Sequence, residues 1–217
     1  VRRKPARGSY ERDDIYQIVD DGLICHVGFV VDGQPYVIPT LHARDGDTLL
    51  LHGSSGSRLM RHAAEGHPLC VTVTHIDAIV LARAVFNHSI NYRSAVLFGS
   101  AALISDPGAK MDALTRFTER LIPGRWDDAR LPNRKEMLAT SVVAMPIASA
   151  SAKVRTGMPS DEPEDLGLPV WGGLIPIRQI VDLPLPDEHV PVGFALPGYL
   201  NAFVQSRSIA EPLIVAD

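Results

Sequence analysis

Apolar and polar positions alternate in short bursts along most of this chain, and turn-forming residues separate the bursts. Residues 11–21 are the first exception. Ile15, Ile18 and Val19 fall on one face at helical spacing, Asp13 and Asp14 sit in the first turn, and Gly22 stops the run. Leu23 to Val31 is an apolar, β-branched strand pattern. Asp32-Gly33 is a hairpin turn signal, and Gln34 to Ala43 returns as the partner strand. A second turn, Asp45-Gly46, leads into a strand over 48–52, and a helix is expected over 57–65. Further strands are predicted to start at Leu69, to run from Ile79 to Phe86 and from Arg93 to Ile104, and to cover Thr140 to Ile147. Asp106-Pro107 reads as a helix start, with Met111, Leu114, Phe117 and Leu121 as its apolar stripe and Pro123-Gly124 as its end. Residues 156–168 read as a loop or flap, and Val170 to Ile180 as a last strand.

Strands in hairpin order with a few inserted helices predict a mainly β fold, an antiparallel barrel with helical decoration. There is no regular βαβ alternation and no G-x-G-x-x-G fingerprint, which argues against a Rossmann domain. The expected organisation is one barrel domain over residues 1–181. A tail over 182–217 follows, where Pro184, Pro186, Pro191 and Pro197 argue against long regular structure. That tail is expected to pack on the barrel or on a partner chain.

Composition narrows the function. The 217 residues carry a formal net charge of −4 and are 46 % apolar, with no basic surface suited to nucleic acid. The run Arg2-Arg3-Lys4 reads as a solvated arm. No apolar stretch approaches the ~20 residues of a spanning helix, and nothing resembles a signal peptide, so a cytoplasmic protein is expected. Cys25 and Cys70 each sit in a strand pattern and are expected as reduced thiols. No metal-ligand spacing is present. Gly56-Ser57 lacks the surroundings of a nucleophile elbow, and no catalytic residue is identified.

Four segments carry candidate chemistry. Val37-Ile38-Pro39-Thr40 places a proline inside a strand, which belongs at an edge, a bulge or beside a ligand. Leu51-His52-Gly53-Ser54 with Ser57-Arg58 combines hydroxyls, free N–H groups and guanidinium groups at a strand–loop–helix junction. That suits a phosphate, and it equally fits a solvated turn before a surface helix. Asn87 to Ser94 is a polar turn dense in hydrogen-bonding groups. Lys153-Val154-Arg155-Thr156-Gly157, followed by Pro169-Val170-Trp171-Gly172-Gly173, is the fourth. Among the histidines, His26 reads as a core residue or a ligand, and His52 and His88 fit either a site or packing. His75 with Asp77 reads as a solvated turn, and Asp161-Glu162 as part of a solvated loop.

These segments, with Arg7-Gly8-Ser9-Tyr10, Gly22 to Phe29, and Asn91-Tyr92-Arg93-Ser94 leading to Phe98-Gly99, occur in an order and spacing that resemble the pyridoxamine 5′-phosphate oxidase-like, FMN-binding split-barrel superfamily. The resemblance is closest to the flavin-nucleotide-binding branch, which includes nitroimidazole-resistance reductases. It spans about residues 7–180. It implies a homodimeric split barrel with FMN at the interface. Val37, Ile38, Pro39 and Thr40 would lie beside the flavin ring, and His52, Gly53, Ser57 and Arg58 would hold the ribityl phosphate. Arg93 and Ser94 would reach the flavin's polar edge or phosphate, Lys153 would contact cofactor or substrate, and Trp171 would cover the ring from the second chain. The implied function is flavin-mediated reduction of a small organic acceptor, with nitro compounds as one class. A flavin carrier or sensor without turnover, and a haem-binding split barrel with His26, His52 or His88 as ligand, are the alternatives. The chain departs from the vitamin B6 oxidases in one respect. Trp171 is followed by Ile177-Arg178-Gln179-Ile180-Val181, with no histidine two residues after the arginine, which argues against pyridoxine phosphate oxidation.

Overall fold

Two Asp-Gly turns set the registers in the first half of the chain. In the computed structural model, which describes residues 4–208, strand β1 (Gly8–Ser9) and helix α1 (Arg12–Asp21) come first. Arg2 and Arg3 of the basic run, and the last nine residues of the tail, lie outside the described residues. Asp32 and Gly33 both take positive φ, 51° and 78°, the backbone of a two-residue turn whose twist matches its flanking strands. They join β2 (Ile24–Val31) to β3 (Gln34–Asp45) with Val31 opposite Gln34. Gly46 then turns the chain into β4 (Thr48–Ser54). Helix α2 (Arg58–Ala64) starts at Ser57, whose Oγ accepts from the Met60 N–H at 3.1 Å.

The next segment departs from expectation. The strands predicted from Leu69 and over 79–86 are one continuous strand, β5 (Pro68–Leu81), with an irregularity between Ile76 and Ala78. The polar His75-Ile76-Asp77 segment is therefore a bulge, which inserts a residue without ending the strand. The polar turn expected over 87–94 is mostly the start of β6 (Ser89–Ser100). A two-residue strand, β7 (Ala102–Leu103), follows. Helix α3 (Pro107–Leu121) begins as predicted, with Pro107 in its first turn and the Asp106 carboxylate accepting from the Ala109 N–H at 2.8 Å. Two short helices, α4 (Arg125–Asp128) and α5 (Arg134–Ala139), were not expected, being too brief to show periodicity. A reciprocal cap between Asn133 and Glu136 holds α5. Strands β8 (Thr140–Pro146), β9 (Ser149–Arg155) and β10 (Gly173–Pro176) complete the sheet. Helix α6 (Gly198–Ser208) lies in the tail, where proline content predicted no long regular element. Its residues fall between Pro197 and Pro212, a proline-free interval long enough for three turns. The Tyr199 hydroxyl donates to Asp128 at 2.7 Å and accepts from Arg125 at 2.8 Å, docking α6 on α4.

The strands pair antiparallel in the order β1-β9-β6-β5-β2-β3-β4-β8-β7, and β10 pairs with Ala78–Leu81 of β5, beyond the stretch that pairs with β2. This is a split antiparallel barrel with inserted helices, as the sequence predicted. Inward residues of β2, β4, β5, β6 and β8, among them Val27, Leu49, Leu51, Val71, Leu97 and Met145, form the main core with Ile15, Ile18 and Val19 of α1. A second cluster joins Ala113 and Phe117 of α3 to Ala43, Leu50 and Val142. Cys25 points into the main core, and burial pushes its thiol up to about 12. Cys70 sits opposite Gly28, so strand alternation sends it to the other face, and both thiols are free. Among the described residues, no helix is long and apolar enough to cross a membrane.

Candidate functional site

Strand β3 changes neighbours part-way along its length, and the site is built where it does so. Residues 34–41 pair with β2, while β4 pairs only with 42–45. Among the described residues, the β4-side edge of 34–41 is thus unpaired backbone, and this is why Pro35 and Pro39 are tolerated there. Alternation divides the predicted segment between two faces. Ile38 and Thr40, with Tyr36, line a cavity of about 220 Å³ that also meets Phe29, His52, Ser54, Ser57 and Arg58. Val37 and Pro39 point to the outer face, opposite Gly28 and His26.

Within the cavity the chemistry is cationic and hydroxyl-rich. The Arg58 guanidinium stacks over the Tyr36 ring at 4.4 Å. Among the described residues it makes no ion pair or hydrogen bond. The Ser57 Oγ already accepts from α2, which leaves its own O–H to donate outward. Gly53 lets α2 sit close, since a Cβ there would lie 3.1 Å from the Met60 side chain. His52 lines the same cavity, and its ring packs against Phe117 at 4.3 Å. Burial holds its imidazole below the ordinary range, and its buried Nδ1 has no partner among the described residues. A guanidinium without a carboxylate, a hydroxyl free to donate and a free strand edge fit a phosphorylated ligand carrying a polar planar ring.

The other predicted residues lie elsewhere in the subunit. Arg93 is held by two carboxylates, Asp21 at 2.7 Å and Asp77 in the β5 bulge at 3.2 Å. Ser94 Oγ is 3.1 Å from Thr74 Oγ1. Lys153 lines a separate cavity with Arg155. Trp171 is exposed, and the two glycines after it are explained within the chain. A Cβ on Gly173 would come within 2.9 Å of the Trp171 ring, and one on Gly172 within 3.0 Å of Arg83 Nη1.

The histidines sort differently from expectation. His26 is exposed on the outer face. The fully buried histidine is His42, whose Nε2 meets the Val19 carbonyl at 2.8 Å and whose imidazole burial lowers to about 4. His75 is half-buried, with Nε2 2.9 Å from the Ile18 carbonyl. Asp161 is no solvated loop residue, since its carboxylate accepts from the Arg83 N–H at 2.6 Å and from Arg83 Nη1 at 2.9 Å. Tyr36 and Ser54 were absent from the predicted site residues. Tyr36 was within reach, because it stands two residues before Ile38 and so shares its face.

Comparison with known proteins agrees with this fold. The pyridoxamine 5′-phosphate oxidase family profile matches residues 11–154. No curated protein matches the chain. The structure is similar to the flavocytochrome Anf3 from Azotobacter vinelandii, with a TM-score of 0.88 and 39 % identity, covering 93 % of this chain and 94 % of that one. It is also similar to the FAD- and haem-binding protein from Mycobacterium smegmatis, with a TM-score of 0.87 and 37 % identity over 90 % of this chain and 96 % of that one. A candidate 5-nitroimidazole antibiotic resistance protein from Bacteroides thetaiotaomicron shares the fold at 21 % identity, with a TM-score of 0.56 over 68 % of this chain and 86 % of that one.

Proposed function

The chain belongs to the pyridoxamine 5′-phosphate oxidase family, and from that premise we propose that it is a flavin-binding redox protein which works as a homodimer. The observation that carries this reading is Arg58, a guanidinium without a carboxylate, set beside Ser57 and the unpaired edge of β3. Arg58 and Ser57 hold the ribityl phosphate through charge-assisted hydrogen bonds. The free backbone groups of 37–40 meet the polar edge of the ring. The bound flavin supplies hydride and electron transfer, for which this site offers no side-chain substitute. FMN, expected from sequence, and FAD, bound by the M. smegmatis relative, share the phosphate this site grips. We favour FAD because that relative is 37 % identical over 90 % of the chain.

The outer face supports the dimer. A row across four strands, Phe98–Cys70–Gly28–Val37, is apolar. Phe98 is 51 % exposed and Val37 65 % exposed, with Ile24 and Val30 beside them. A second copy covers this surface. Trp171, 64 % exposed, is available to reach a partner's flavin.

Haem is the second reading, favoured by the two relatives that carry it. His42, His62, His75 and His88 each direct Nε2 to a backbone carbonyl. His26 is exposed on the outer face and is the imidazole we assign as haem ligand. Electrons would then pass between a donor, the flavin and the haem, and a nitro compound or similar small acceptor remains one end of that chain. Titration of flavin-stripped protein with FAD and FMN, followed by quenching of flavin fluorescence, tests the site. Saturable binding lost in Arg58→Ala supports it, and binding indifferent to Arg58 overturns it. Haem titration of His26→Ala tests the second reading, with retained haem affinity counting against His26.

A further inference from the structure

A second cavity, of about 560 Å³, opens where the N-terminal segment, the end of β9, the turn before β6 and the flap over 156–168 meet. Its charge is lopsided. Lys4, Arg7, Lys153 and Arg155 line it against a single carboxylate, Glu162. Among the described residues none of these four cations makes an ion pair.

Arg155 is the buried member of this lining. It is only 7 % exposed, its Nη1 donates to the Asn91 side chain, and its buried Nε has no partner among the described residues. A buried guanidinium without an anion is costly, because burial removes water that only a counter-charge replaces fully. Desolvation, with the neighbouring Arg7 charge behind it, lowers its pKa from the ordinary guanidinium value. The walls are built rather than left over. Asp161, with a side chain 2 % exposed, clamps the flap to Arg83, and Asn91 donates to the Gly157 carbonyl at 3.1 Å.

We infer that this cavity binds the diphosphate of an ADP moiety. Four cations against one carboxylate leave an excess of roughly three positive charges, close to the charge of a nucleoside diphosphate at neutral pH. Arg155 and Arg7 offer forked donors that match phosphate oxygens in pairs, and the two lysines add point charges. Phe86, 96 % exposed on the cavity lip, presents an aromatic face for a base. A haem fits poorly, because its macrocycle needs apolar walls and Phe86 is the one large apolar residue in this lining. The diphosphate site itself does not rest on the flavin reading, whereas the FAD arm of its test does. The ADP moiety has two sources: a free nucleotide, including a reduced dinucleotide donor, or the ADP half of a bound FAD.

Calorimetric titration of the full-length protein with ADP, pyrophosphate and adenosine tests the inference. ADP and pyrophosphate should bind, more weakly as salt rises, while adenosine should bind at least roughly tenfold more weakly than ADP. Arg7→Ala and Lys153→Ala, both at partly exposed positions, should each weaken ADP roughly tenfold while retaining a native circular-dichroism spectrum. Arg58→Ala should leave ADP affinity unchanged, which separates this cavity from the flavin phosphate site. Protein loaded with FAD but not with FMN losing its ADP site would identify the FAD half as the occupant. ADP binding equally well to both forms would identify a free nucleotide. Absence of ADP binding at low salt, insensitivity to both substitutions, or loss in Arg58→Ala would each overturn the inference.

Discussion

Two arginines that looked alike in the sequence have opposite surroundings, and that difference decides what each can do. Arg93 sits between Asp21 and Asp77, so its charge is spent within the subunit. Among the described residues, Arg58 has only the face of Tyr36. Arg58→Ala should therefore weaken flavin by roughly 1.5–3 kcal/mol, the range for a charge-assisted hydrogen bond, with little change in the urea midpoint. Arg93→Ala should instead lower stability by about 1 kcal/mol, as befits a partly exposed pair, and equilibrium unfolding would register it. His42 gives a pH-dependent counterpart. Its imidazole stays neutral in the fold down to about 4, while in the unfolded chain it takes up a proton near the ordinary imidazole value of 6.5. The unfolded state thus binds more protons between these values. Stability should fall as pH drops through that window, by up to about 3 kcal/mol, and then level off. His42→Gln should flatten this part of the stability–pH curve, and an unchanged slope would assign the dependence to other groups. None of these environments was legible beforehand. Strand alternation gives the face of a residue, but an ion pair such as Arg93–Asp21 spans 72 positions and is set by tertiary packing.

Elements were legible where local chemistry dictates them. The Asp32-Gly33 turn, the Asp106-Pro107 helix start and the Ser57 cap all stand where turn and cap physics put them. Strand β9 was missed because its alternation is carried by small residues such as Ala150 and Ala152, which give no apolar stripe. The merging of two predicted strands into β5 was hidden because a bulge and a turn use the same polar residues. One long-range cap ties elements together: Arg120 of α3 donates to the carbonyls of Val19, Asp20 and Gly22 at the end of α1. Those carbonyls are orphaned at any helix C-terminus, and their partner comes from about 100 residues away. Arg120→Ala should cost about 2 kcal/mol in unfolding free energy. A loss within measurement error would mean water serves those carbonyls equally well.

For the whole molecule, the proposed flavin site rests on the split in the barrel. A strand long enough to serve both halves exposes a backbone edge where it passes from one to the other, and the Arg58 cavity opens beside that edge. The mainly β fold and the order of its segments were readable from the chain. The division of residues 37–40 between an inner cavity and an outer apolar face required the register. That outer face predicts assembly. Val37→Glu places a charge at the centre of the apolar row and should convert a dimer to a monomer in light scattering. A variant that stays dimeric would place the interface elsewhere. The most direct test of the account is the visible absorption spectrum of the purified protein, with the released chromophores identified by chromatography. The flavin reading predicts the two bands of an oxidised flavin, recovered as FAD, and a haem Soret band beside them would add the haem reading. A colourless protein that takes up neither added flavin nor haem would contradict it.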